Sequence, residues 1–253
     1  EYRLPKAVVE HEIAEIERLG VEIRTGVAVG SDLTIDDLRE QGYAAILLAV
    51  GGHRQRALNV PGEDLEGVLE GVAMLRAHAL GEPVALGGHV VVIGGGDVAV
   101  DGSRVAVRLT DRVTLVYRRR FEDMPARRDE VEEALEEGVE VVDQLQPVEI
   151  VGENGRVTGV RCARTRATAP DESGRIGFEI VEGSEELVPC DTVIVAIGQI
   201  PDVNWLKRVG LGHLCDGDVV GWSDLTRGAP SEFAGALDDD GVTPLPHQYY
   251  RTR

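Results

Sequence analysis

The chain has 253 residues, of which 43% are hydrophobic, and a formal net charge of −19. This length allows one large or two ordinary domains with a real core, and no apolar run approaches the roughly 20 residues that span a bilayer, which argues against a membrane protein. The acidic balance argues against a nucleic-acid partner, because phosphate binding needs a basic face.

The first part of the chain predicts two helices and two strands. Residues 6–19 carry apolar side chains at helical spacing, which indicates an amphipathic helix. Residues 21–29 predict a strand, and the apolar run at 43–51 predicts a buried strand. Between these strands Thr34 and Asp37 have the spacing of a capping box, which indicates the start of a short helix.

The middle of the chain alternates between strand and helix patterns. In order, these patterns predict a helix at 68–80, a strand at 89–94, a helix at 97–109, a strand at 112–118, an acidic-faced helix around Val131, a hairpin turning at Asn154-Gly155, and strands at 176–182 and 191–198. Such alternation is typical of an α/β fold with a parallel sheet, here with a small antiparallel insert at 147–182. Beyond about residue 212 the pattern predicts no element.

A glycine-rich stretch follows the strand at 89–94 and opens the next helix. It reads Gly94-Gly95-Gly96-Asp97-Val98-Ala99 and fits GxGxxA. In such a motif the first glycine permits a tight turn, the second lets a pyrophosphate approach the backbone, and the small last residue lets helix and strand pack closely. Asp97 is expected to cap the helix or to contact the cofactor. The strand–turn–helix context favours dinucleotide binding over an ordinary turn.

The end of the next strand distinguishes between the two nicotinamide cofactors. NAD-binding proteins place an acid about 20 residues beyond the glycines, whereas this chain has Arg118 and Arg119 after Tyr117. Guanidinium groups bind a 2′-phosphate through charge-assisted hydrogen bonds. The pair therefore favours NADP(H), with a solvated basic turn as the alternative.

The sequence offers no catalytic side chain. YxxxK, GxSxG, HExxH and P-loop patterns are all absent, and the six histidines are scattered. The cysteines, Cys162, Cys190 and Cys215, form no CxxC pair, which excludes a local redox dithiol or self-contained metal site and fits the cytoplasm. Hydride transfer between cofactors needs only that two rings be positioned.

Several segments together resemble one enzyme family. They are "YRLPK", "GYAAILLAVG", "VPGEDLEGV", "VVVIGGGDVAVD", "VTLVYRR" and "AIGQIPD". In this order they resemble the small (beta) subunit of NADPH-dependent glutamate synthase and its relatives, over about residues 1–205. The resemblance implies a Rossmann-like NADPH-binding domain inserted in an FAD-binding domain of the pyridine nucleotide-disulfide oxidoreductase type. Electrons would pass from NADPH to FAD, and then to iron–sulfur clusters or a partner such as a large catalytic subunit.

The resemblance also implies domain boundaries and cofactor contacts. Residues 67–190 would form the NADPH-binding domain, and residues 1–66 and 191–253 would form parts of the FAD-binding domain. Arg3 and Val29 match positions beside FAD, and Gly51 and Gly198 match crossings between the two domains. The remaining matched positions are the NADPH contacts at Ile197-Gly198 and the pyrophosphate loop at Gly95, Gly96, Asp97 and Val98.

The sequence departs from the family in its FAD-binding half. The family's first FAD glycine loop and its N-terminal cysteine clusters, which would carry iron–sulfur centres, would precede Glu1. Residues 231–241 resemble a family segment but lack its glycine–aspartate pair. The chain is therefore expected to be a piece with an incomplete FAD site. A non-catalytic NADP(H)-binding module stays open as an alternative, and a thioredoxin-reductase-like enzyme is disfavoured by the absence of CxxC.

Overall fold

The computed structural model describes residues 3–170, 176–200, 203–209 and 211. The chain divides into two compact units, one of residues 1–50 with 202–253 and a larger one of residues 51–201. These borders differ from the expected ones at 66/67 and 190/191. The reason is that residues 51–66 and 191–200 pack with the larger unit, where β1 (Arg54–Gln55) pairs with β11 (Gln199–Ile200).

The larger unit is built on a parallel five-stranded sheet. Its spatial order is β2 (Val68–Glu70), β10 (Thr192–Val195), β3 (His89–Ile93), β4 (Arg112–Val116) and β5 (Glu140–Val142). Apart from Thr114, the central strands are apolar at every position inside their ends, as expected for strands that are covered on both faces. The predicted parallel α/β sheet is confirmed.

Three helices cover one face of this sheet. They are α3 (Gly71–Leu80), α4 (Asp97–Ala106) and α5 (Arg128–Glu136). Side chains from α4 and α5, among them Val100, Val105 and Val131, share one buried cluster with Val92 and Leu115 of the sheet. Because successive strand residues point to opposite faces, the alternate positions of the same strands are left for a second core.

An antiparallel insert covers the other face. It consists of β6 (Leu145–Glu153), β7 (Arg156–Pro170), β8 (Ile176–Ile180) and β9 (Glu186–Pro189). Ile150 and Val160 of the insert pack with Val91, Val193 and Val195 of the sheet. The predicted hairpin is confirmed, and its turn residues Asn154 and Gly155 have φ of +53° and +81°, the left-handed values that a two-residue type I′ turn requires.

The boundaries of several predicted elements shift in the structure. The helix predicted at 68–80 begins at Gly71, because residues 68–70 pair with β10 as an edge strand. The helix predicted at 97–109 ends at Ala106, and the strand predicted at 112–118 ends at Val116. Despite these shifts, the glycine turn still directly follows β3, and Tyr117 still directly follows β4.

The smaller unit contains α1 (Lys6–Arg18), α2 (Ile35–Glu40) and α6 (Val203–Arg208). The capping box is confirmed: the Asp37 N–H donates to Thr34 Oγ1 at 3.0 Å, and the Thr34 N–H donates to Asp37 Oδ2 at 2.8 Å. Ile35, Leu206 and Leu211 form its small core.

The strands predicted at 21–29 and 43–51 are wrong. Within these two ranges the structure has only one isolated bridge, between Val29 and Leu33, and Leu47 is 90% exposed. An apolar run becomes a buried strand only when neighbouring strands accept its hydrogen bonds. The described residues of this unit supply no such neighbour. Among the described residues, no helix is long and apolar enough to cross a membrane.

Candidate functional site

A cavity of about 460 Å³ opens at the carboxyl ends of β3, β4 and β10, where α/β sheets bind their ligands. The predicted residues Gly94, Gly95, Gly96, Val98, Arg118, Arg119, Ile197 and Gly198 all line it. The predicted residues Asp97 and Ala99 adjoin this wall without lining it. The other lining residues are Arg56, Ala57, Leu58, Asn59, Ile93, Val116, Tyr117, Pro125, Gln146, Pro147 and Ala196.

Gly94 begins the turn that forms the wall of the cavity. Its φ is +148°, and a Cβ built there would lie 2.3 Å from the Ala196 carbonyl oxygen and 3.1 Å from Ala99 Cβ. Ala99 is itself fully buried. The turn therefore requires glycine at position 94, and a small residue at 99 lets α4 approach the sheet.

Gly95 is required for a reason that the motif does not give. A Cβ at this position would lie 2.4 Å from the Tyr117 ring. The Tyr117 hydroxyl donates to the Asp123 carbonyl at 2.9 Å, and the Ala126 N–H donates to the Gly95 carbonyl at 3.1 Å. Tyr117 thus fixes the glycine turn against the loop that follows the two arginines.

Gly96 provides open space at the start of α4. It is the N-cap residue of that helix, and a Cβ there would meet nothing within 4 Å. A helix N-terminus carries free N–H groups and a partial positive charge, so it attracts phosphate. The prediction that Asp97 caps the helix is wrong, because its carboxylate instead accepts the Arg127 N–H at 3.2 Å and makes no side-chain cap.

Arg118 and Arg119 follow β4 and also line the cavity. Their guanidinium carbons lie 4.9 Å and 5.8 Å from the centre of the Phe178 ring. Arg119 is only 9% exposed, and its Nε donates to the Ile176 carbonyl at 2.6 Å. Arg120 turns to a different partner: its Nε donates to Asp123 Oδ2 at 2.7 Å, and this hydrogen bond lowers the pKa of the Asp123 carboxyl.

The charge of the cavity is opposite to that of the chain. Arg56, Arg118 and Arg119 line it, and none of the described residues that line it is acidic, although the chain carries a net charge of −19. Such a wall favours an anionic ligand. Arg56 was missed at the sequence level, because it stands between two predicted elements and matches no motif.

A family model agrees with this arrangement. The model of the pyridine nucleotide-disulphide oxidoreductases matches residues 6–220. The chain belongs to this family. The family comprises FAD- and NAD(P)-dependent oxidoreductases, and the resemblance inferred from the sequence is confirmed.

Two relatives of this pyridine nucleotide-disulphide oxidoreductase support the same placement, and one solved structure shares its fold. The chain is 39% identical to the NADPH-Fe(3+) oxidoreductase subunit beta of Geobacter sulfurreducens, over 95% of this chain and 36% of that protein. It is 42% identical to the glutamate synthase [NADPH] small chain of Halomonas elongata, over 83% of this chain and 47% of that protein. FprA from Mycobacterium tuberculosis shares the fold, with a TM-score of 0.58 and 22% identity over 69% of this chain and 54% of that one.

The chain spans between about a third and a half of the length of the relatives that it matches. Their activities and assemblies therefore apply to this chain only as proposals.

The residues that the resemblance assigns to FAD do not line the cavity. Arg3 is exposed, and the Val29 carbonyl accepts the indole N–H of Trp205. Gly51, with φ of +63°, is the first residue of the larger unit. The segment 231–241 and Cys215 lie outside the described residues.

A buried ion network holds α4 against α5, away from the cavity. The Arg104 side chain is 5% exposed, and its guanidinium contacts Glu130, Glu133 and Glu137. Hydrogen bonds from Arg108 and Arg104 lower the pKa of Glu137 to about 2. The bond to Glu137 in turn raises the pKa of Arg104 above its usual value. This network fixes the helix whose N-terminus faces the cavity.

The buried cysteines belong to the core. Burial raises the pKa of both Cys162 and Cys190 to about 12, so neither thiol ionises near neutral pH. Within the described part of the chain, no three His, Cys, Asp or Glu side chains form a group that could hold a metal ion.

Proposed function

We propose that this chain is the NADPH-binding portion of a flavoprotein oxidoreductase of the glutamate synthase small-subunit type. The intact enzyme would pass a hydride from NADPH to FAD, and electrons onward to iron–sulfur centres or a partner subunit. The chemistry comes from the cofactors. The protein residues bind and orient them.

One observation carries this proposal: a cavity lined by three arginines, with no acidic residue among its described lining residues, lies beside a glycine turn. The open space at Gly96 accommodates a pyrophosphate next to the N-terminus of α4. Arg118 and Arg119 stand where an acid would bind the ribose of NAD. Their positive charge favours a 2′-phosphate instead.

Membership of a family of FAD- and NAD(P)-dependent oxidoreductases supports the part of the proposal in which FAD accepts the hydride. The residues assigned to FAD do not line this cavity, so no step through the flavin is derived from this chain. The chain's own contribution is to bind the dinucleotide at its pyrophosphate and at its 2′-phosphate. Ile197 and Gly198 line the same cavity, and the Gly198 carbonyl accepts the Arg56 N–H at 3.0 Å.

The test compares NADPH and NADH binding to the full chain. The double variant Arg118→Ala/Arg119→Ala removes two donors of charge-assisted hydrogen bonds, each worth about 1.5–3 kcal/mol. We expect the Kd for NADPH to rise about 100-fold and the Kd for NADH to change less than about threefold. Arg128→Ala is the matched control, because Arg128 is exposed and lies outside the cavity.

Equal losses of NADPH and NADH affinity in the double variant would contradict the proposal, as would unchanged NADPH affinity. The first result would mean that the arginines support the fold of the cavity but do not recognise the phosphate. The second would place the cofactor elsewhere.

A second function is favoured by the missing strands at 21–29 and 43–51. A non-catalytic NADP(H)-binding module, with FAD supplied by a partner, needs no flavin site in this chain. Purified chain that shows the visible absorption of bound flavin supports the enzyme. Colourless chain that still binds NADPH supports the module.

A further inference from the structure

We propose that Phe178, on the antiparallel insert, is a positioning residue that sets the preference for a 2′-phosphorylated nucleotide by holding Arg118 and Arg119. This inference rests on the proposed NADPH site. It assigns a role in cofactor selection to the insert.

The Phe178 ring contacts both arginines at once. The guanidinium carbons of Arg118 and Arg119 lie 4.9 Å and 5.8 Å from its centroid, within the range in which a cation is attracted by an aromatic face. Phe178 lies in β8, where it pairs with Ala167 of β7. The ring is therefore carried by a paired strand and not by a loop.

Phe178 does not line the cavity, whereas both arginines do. The guanidinium groups, and not the ring, are therefore the groups assigned to contact the nucleotide. The proposed effect of Phe178 on binding passes through the two guanidinium groups that its ring contacts.

The insert and the strand that leads into it also hold the arginines by hydrogen bonds. The Ile176 carbonyl accepts Arg119 Nε at 2.6 Å. The buried hydroxyl of Thr165 donates to the Arg118 carbonyl at 2.8 Å, and the Gln144 N–H donates to the Arg119 carbonyl at 2.9 Å. Hydrogen bonds thus hold the backbone carbonyls of both arginines and the Arg119 side chain.

This support matters because two adjacent cations repel each other and each long side chain loses rotamer freedom when it binds. A group that is already held in its binding geometry loses less freedom on association. The negative face of the ring also offsets part of the repulsion between the two guanidinium groups. Without the ring, the loss of rotamer freedom and the repulsion between the two guanidinium groups would both weaken binding of the phosphate.

The experiment measures the affinity of the full chain for 2′,5′-ADP and 5′-AMP, which differ only by the 2′-phosphate. Phe178→Leu keeps an apolar side chain and removes the aromatic face. We expect it to weaken 2′,5′-ADP binding about tenfold and 5′-AMP binding less than twofold. Phe178→Tyr keeps the ring and should restore at least half of the lost selectivity.

Phe121→Leu is the matched control. The Arg128 guanidinium carbon lies 4.5 Å from the Phe121 ring, a comparable contact that lies outside the cavity. This variant should leave the ratio of the two affinities unchanged. Replacing Phe178 by pentafluorophenylalanine preserves its shape while reversing the charge distribution of the ring. The pentafluoro variant should lower the selectivity for 2′,5′-ADP over 5′-AMP as the leucine variant does. It therefore tests the same point if the leucine variant folds poorly.

Two outcomes separate this inference from the proposed function. If the wild-type chain does not prefer 2′,5′-ADP, the NADPH site itself is wrong. If the wild-type chain prefers 2′,5′-ADP but the leucine and pentafluoro variants keep that preference, Phe178 has no positioning role. Equal losses for both nucleotides would also overturn it, because a merely structural role predicts that result.

Discussion

The substitution Gly94→Ala tests how tightly the glycine turn is built. The new Cβ would lie 2.3 Å from the Ala196 carbonyl oxygen, and the residue would keep a φ of +148° that side chains rarely adopt. Backbone strain of this kind costs about 1–3 kcal/mol, and overpacking a filled core adds about 1–3 kcal/mol. We therefore expect the free energy of unfolding to fall by about 3–5 kcal/mol.

Two other glycines make the test specific. Gly81 has φ of +73° but meets nothing within 4 Å of a built Cβ, so Gly81→Ala measures the left-handed strain alone, about 1 kcal/mol. Gly96 is extended and also open. Gly96→Ala should therefore change stability by less than about 1 kcal/mol while weakening NADPH binding, because its methyl group occupies the space assigned to the pyrophosphate.

Urea denaturation followed by circular dichroism measures the stabilities, and fluorescence titration measures NADPH binding. A Gly94→Ala protein as stable as the Gly81→Ala protein would refute the close approach of the turn to Ala196. A Gly96→Ala protein that binds NADPH like the wild type would refute the assignment of the open space.

Three further predictions concern the larger unit. Arg104→Met removes a buried guanidinium from partly exposed carboxylates, of which Glu137 keeps Arg108, and should cost about 1–3 kcal/mol in urea denaturation, whereas Arg39→Met, which breaks an exposed pair, should cost less than about 0.5 kcal/mol. Because the pKa of Glu137 is lowered to about 2 from an unfolded value of 4.5, its contribution is present above pH 4.5 and is lost as the pH falls towards 2. After allowance for the partial exposure of Glu137, that contribution is about 2 kcal/mol. Glu137→Gln should flatten the dependence of the unfolding free energy on pH between pH 4.5 and 2, and an unchanged dependence would contradict the pairing of Glu137 with Arg104 and Arg108. Cys162 and Cys190 should react with iodoacetamide only after denaturation, because both are buried and have a pKa of about 12; peptide mass spectrometry that finds either thiol labelled in the native protein would contradict this.

The sequence was sufficient to predict the three central strands of the larger unit's sheet but not its short edge strands, because residues 68–70 were predicted as part of a helix and β5 was not predicted. The central strands β3, β4 and β10 are buried along almost their whole length and are therefore mostly apolar, and Gly94 marks the end of β3 as a turn signal. These signals are local. Parallel order then follows from the alternation of strands with helices.

The strands predicted at 21–29 and 43–51 failed because a strand depends on partners as well as on its own residues. Both ranges have the composition of strands. Composition reports the tendency to pair but not the presence of a neighbour. The helix α1 formed as predicted because its hydrogen bonds are internal, although its apolar face has no buried residue.

Part of the candidate site also could not be predicted from sequence patterns. The glycine motif and the arginine pair lie in one segment and have a known spacing. Arg56 and Phe178 reach the site from distant parts of the chain, and a lone arginine or phenylalanine carries no signal in sequence. Gly95 fits the motif's variable position, yet its requirement arises from the packing of Tyr117.

A crystal structure of the full chain with NADP⁺ tests the central claim most directly. We expect the 2′-phosphate between the guanidinium groups of Arg118 and Arg119, and the pyrophosphate against Gly96 at the start of α4. A cofactor bound away from this cavity, or a 2′-phosphate that points to solvent without contacting either arginine, would contradict the account.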